Sequence, residues 1–144
     1  MDRVQQIQEI REAVNAGNIA LQYLNNAKRE LSSASNFGIA DMLGLDFIGG
    51  LGKHMKIDNA KREIELAKNQ IRIFQRELRD VSTLEDFNVD IGSFLTFADF
   101  FFDGLIADWF VQSKISQAKK QVDTGIGNIN AILSQLHRME SELG

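Results

Sequence analysis

The chain contains no proline and no cysteine. Proline breaks helix interiors, so its absence from 144 residues permits long uninterrupted helices. Without cysteine, neither a disulfide framework nor a thiolate metal site can form, and nothing suggests an oxidising compartment. Histidine is scarce, at two residues, which leaves few options for a nucleophile–base pair. No block of one-signed charge is present. Sixteen Lys and Arg and twenty Asp and Glu give a net charge of −4, and they interleave, as in Lys61-Arg62-Glu63-Ile64-Glu65. Duplex binding needs a concentrated positive surface to displace counterions, so no nucleic-acid partner is expected. The opening MDRVQQIQEIREA is charged and amphipathic and has no apolar core for a signal peptide, so a cytoplasmic location is expected.

Three apolar stripes fill the space these absences leave. Ile7, Ile10, Val14, Gly17, Leu21, Leu24, Lys28 and Leu31 alternate steps of three and four, with Lys28 as the polar break. Ile57, Ala60, Ile64, Ala67, Ile71, Phe74, Leu78 and Val81 repeat the spacing, as do Ile115, Ala118, Val122, Gly125, Ile129, Ile132, Leu136 and Met139. An average period of 3.5 residues over about four heptads places one apolar edge along a helix. The pattern predicts an all-α fold in one domain over 1–144. It is an antiparallel bundle of three long heptad helices of about 25–30 residues, with short Gly-rich and aromatic-rich helical connectors. Ala13, Ala20, Ala27 and Ala34 recur at a spacing of seven beside the first stripe. Such small residues suit close helix neighbours better than a glycine hinge.

An internal repeat is also legible. A shift of 58 aligns 37–78 with 95–136 at nine identical positions of 42, against roughly three from average composition. Ala40-Asp41 matches Ala98-Asp99, and the Lys-Ile-x-x-Ala-Lys string at Lys56 recurs at Lys114. Each unit is a lead-in followed by a long helix. The first lead-in, Phe37–Gly52, holds five glycines; the second, FLTFADFFFDGLIADWFV from Phe94 to Val111, holds most of the aromatics. Between them, Ser82-Thr83-Leu84-Glu85 has the form of a capping box, and Asn88–Ser93 reads as a loop.

Phe37-Gly38-Ile39-Ala40-Asp41, then Gly49-Gly50, then Lys53-His54-Met55-Lys56-Ile57-Asp58 resembles a pattern found in uncharacterised bacterial helical proteins. The resemblance covers about a third of the chain. It implies a helical class and no activity.

The acids of the lead-ins are the candidates for chemistry. Extending the stripes backwards puts Asp46 in one lead-in and Asp108 in the other, each matched by glycine in the opposite copy. Asp99 and Asp103 form an i, i+4 pair beside Thr96. Unpaired buried carboxylates are costly, so these acids cap helices, pair with Lys53, His54 or Lys56, or hold an oxygen-loving metal. That last set is Asp41, Asp46, His54, Asp99, Asp103 and Asp108, better suited to magnesium, manganese or iron than to zinc. The E-x-x-H motif of di-iron bundles is missing, since Leu51 and Ser134 stand three before His54 and His137. His137 reads as a solvated surface residue. Gly52-Lys53-His54 is not a phosphate loop, because Phe47 and His54 occupy positions that need glycine and Ser or Thr.

No cofactor motif is legible, and the expected role is a non-enzymatic module that binds a protein partner or forms a homo-oligomer. A metal- or small-ligand-binding bundle is the alternative. A membrane-associating protein comes third, since Asp99, Asp103 and Asp108 oppose insertion of the aromatic segment.

Overall fold

The computed structural model describes residues 2–42, 46–82, 92–102 and 115–144, with side chains except at 34–42, 46–57, 82, 93, 97, 100–102 and 115–117. Every described residue other than Asp2 and Gly144 is helical. The elements are α1 (Arg3–Met42), α2 (Asp46–Ser82), α3 (Gly92–Phe102) and α4 (Ile115–Leu143). The fold is all-α.

Asp2 starts α1. Its Oδ1 accepts from Gln5 N at 2.8 Å, and its own N–H donates to Gln5 Oε1 at 3.2 Å. This reciprocal box satisfies two donors that the first helical turn leaves open. With no proline to stop it, α1 runs for 40 residues and α2 for 37, both longer than the expected 25–30. The Gly-rich lead-in is the cause. Phe37–Met42 prolongs α1, and Asp46 to Gly52 opens α2 instead of forming a separate connector. Glycine in a helix costs about 1 kcal/mol but leaves every backbone hydrogen bond possible, whereas proline removes one. The expected loop at Asn88–Ser93 is likewise too long, because Gly92 and Ser93 belong to α3, where Thr96 Oγ1 donates to Gly92 O at 3.1 Å. The capping-box residues after Ser82 lie outside the described residues.

Helix α1 packs along both α2 and α4, and α3 packs on α4 and α2. Polar links fix the directions. Gln70 Nε2 donates to Ala16 O, and Asn26 Nδ2 reaches Glu63 Oε2, so later residues of α1 meet earlier residues of α2. Arg11–Glu140 and Lys28–Asp123 set the same opposite order between α1 and α4.

The interior is apolar throughout, with no fully buried polar or charged side chain among the described residues. Ala60, Ile64, Ala67, Ile71, Phe74, Leu78 and Val81 of α2 are buried, as are Ala118, Val122, Ile129, Ile132, Leu136 and Met139 of α4. On α1, Ala13, Ala20 and Ala27 are fully buried beside Ile10, Leu24 and Leu31. Side chains of the other two long helices close on Gly17. A methyl group there would lie 2.9 Å from Leu133 Cδ2 and 3.0 Å from two ring carbons of Phe74. Phe74 in turn meets Phe94 of α3 edge-on, with ring centroids 5.2 Å apart. One glycine thus sits where α1, α2 and α4 meet, and one aromatic pair ties α3 to them.

Candidate functional site

A packed helix pair has two flanks, and the flank of α1–α2 away from α4 carries exposed apolar side chains and a carboxylate cluster. On α1 it runs through Glu9, Glu12, Ala16, Ile19, Tyr23 and Asn26, steps of three and four that keep one helix face. On α2 it runs through Glu63, Leu66, Gln70, Ile73 and Glu77. The Asn26–Glu63 and Gln70–Ala16 links pin the two rows together, which places Ile19 and Tyr23 beside the Leu66–Ile73 row. Ile19, Leu66 and Ile73 are 42%, 38% and 40% exposed, and Tyr23 is partly buried against the core. Ile19 stands on α1 and Leu66 and Ile73 on α2, so both helices carry exposed apolar side chains on this flank.

Three carboxylates close one end of this flank. Oxygens of Glu9, Glu12 and Glu77 all lie within 4.8 Å of one another. Glu77 Oε2 is buried with no hydrogen-bond partner, while Glu12 Oε1 accepts from Gln8 Nε2 at 3.2 Å. The Glu77 carboxyl is pushed above its ordinary value by loss of hydration and then by the Glu12, Asp80 and Glu9 charges, with Arg76 opposing. Loss of hydration, Glu12 and Asp80 raise Glu9 in the same direction. Like charges at this distance disfavour ionisation, which is the direction in which Glu9 and Glu77 are moved. At the other end, Arg29 Nη2 donates to Asn26 Oδ1 and Arg62 Nη2 to Asn59 Oδ1. Both arginines are exposed.

A shallow groove of about 460 Å³ lies on the first turns of α1, lined by Val4, Ile7, Gln8, Arg11, Glu12 and Asn15. Its guanidinium is already engaged, since Arg11 Nε donates to Glu140 Oε1 at 2.8 Å. Its polar lining, Gln8, Arg11, Glu12 and Asn15, comes from α1 alone.

Of the acids singled out from sequence, only Asp99 has a described side chain. Asp41 lies in the last turn of α1, Asp46 is the first residue of α2, and His54 lies further along α2, all with side chains outside the described residues. Asp99 sits on α3 with its side chain exposed. Asp103 and Asp108 lie outside the described residues. His137 is exposed, as expected of a solvated position. The Glu9–Glu12–Glu77 triad was missed because it forms across two helices. Glu9 and Glu12 are legible as an i, i+3 pair, but only the α1–α2 register brings Glu77 to them.

No helix among the described residues is long and apolar enough to cross a membrane. No protein-family model, curated protein or solved structure matches the chain.

Proposed function

We propose that the chain is a non-enzymatic helical module that associates with protein, through a partner or through a second copy of itself. Its scaffold is an antiparallel bundle of three long heptad helices built partly by duplication of 37–78 as 95–136. The buried seams of α2 and α4 and the opposite order of the α1 links support that scaffold. The lack of cysteine fits the reducing cytoplasm. The observation that carries the reading is the exposed apolar row of Ile19, Leu66 and Ile73, which the fold leaves uncovered beside a well-packed core.

Two measurements test it together: sedimentation velocity of the purified chain, and chemical cross-linking of the full chain in its native cells. Association predicts either a mass above 16.2 kDa or a discrete cross-linked adduct. A 16.2 kDa species at every concentration, with no adduct in cells, removes the reading.

A further inference from the structure

We draw no further inference here: the strongest candidate, the surface patch of Ile19, Leu66 and Ile73 on the α1–α2 flank, is an unpartnered apolar face, and nothing in the structure shows what covers it.

Discussion

The two flanks of α1 are closed in opposite ways. Toward α4, unlike charges meet: Arg11 reaches Glu140, and Lys28 reaches Asp123, each at 2.8 Å. Lys28 interrupts an apolar stripe, and the cost of that break is small because both partners of its ion pair are about half exposed, at 47% and 51%. Toward α2, like charges meet at Glu9, Glu12 and Glu77, and the middle of the flank is left partly bare at Ile19, Leu66 and Ile73. One side of α1 is finished with complementary polar groups, and the other keeps exposed apolar side chains and a carboxylate cluster that Arg76 only partly offsets. Finished surfaces need no neighbour. The contrast is the ground on which the association reading proposed above rests.

The comparison can be broken at its base by asking whether the shared core, and not either flank, holds the helices. Phe74→Ala removes a fully buried ring that lies against both Gly17 and Phe94, and should cost about 3–5 kcal/mol in denaturant unfolding. If it costs no more than loss of a surface ion pair, the flanks carry the fold and the contrast means something else. Gly17→Val should cost about 1–3 kcal/mol by forcing Leu133 and Phe74 apart. Gly127, exposed with nothing within 4 Å of an added methyl, is the opposite case, and Gly127→Ala should stabilise by about 1 kcal/mol. Equal effects at the two glycines would deny the close approach at Gly17.

Smaller effects sharpen the difference in charge. Burial and neighbouring carboxylates raise Glu9 and Glu77 in the folded chain, so the folded state binds protons more readily than the unfolded one. Their contribution to stability is therefore fully present below the ordinary carboxylate value and lost as pH rises through the raised values. Glu77→Gln should raise stability at neutral pH by up to about 1 kcal/mol, because solvent reaches the cluster and screens it. The same change should flatten the stability gained between neutral and mildly acidic pH, read by thermal unfolding across that range. A variant less stable than wild type at neutral pH would show that a cation neutralises the triad. Smallest of all, Lys28→Ala should cost less than about 1 kcal/mol, and high salt should erase most of that difference.

Much of the interior was legible in the sequence because local spacing decides it. Residues three and four apart share a helix face, and Ile64, Ile71 and Leu78, or Val122, Ile129 and Leu136, are buried wherever that face packs. The polar break at Lys28 was legible too, though its partner Asp123 was not. Helix ends in the Gly-rich stretch were misread, because glycine weakens a helix without forbidding it, and Phe37–Met42 stayed helical. The flank was invisible for a different reason. Which α2 residue stands beside Glu9 and Glu12 depends on how Phe74 seats against Gly17, a fit between distant segments that no local pattern encodes. The acids chosen from sequence instead belong to segments whose side chains, Asp99 apart, lie outside the described residues.

The two sets of links also differ in how far the chain must travel to make them. Asn26 and Glu63 are 37 residues apart, whereas Arg11 and Glu140 are 129 apart. Loop-closure entropy grows only with the logarithm of that separation, so the longer closure costs about 1 kcal/mol more. That is too little to make the last stave thermodynamically precarious. It is enough to bias the order of assembly, with the first two staves able to meet before the last one is laid along them.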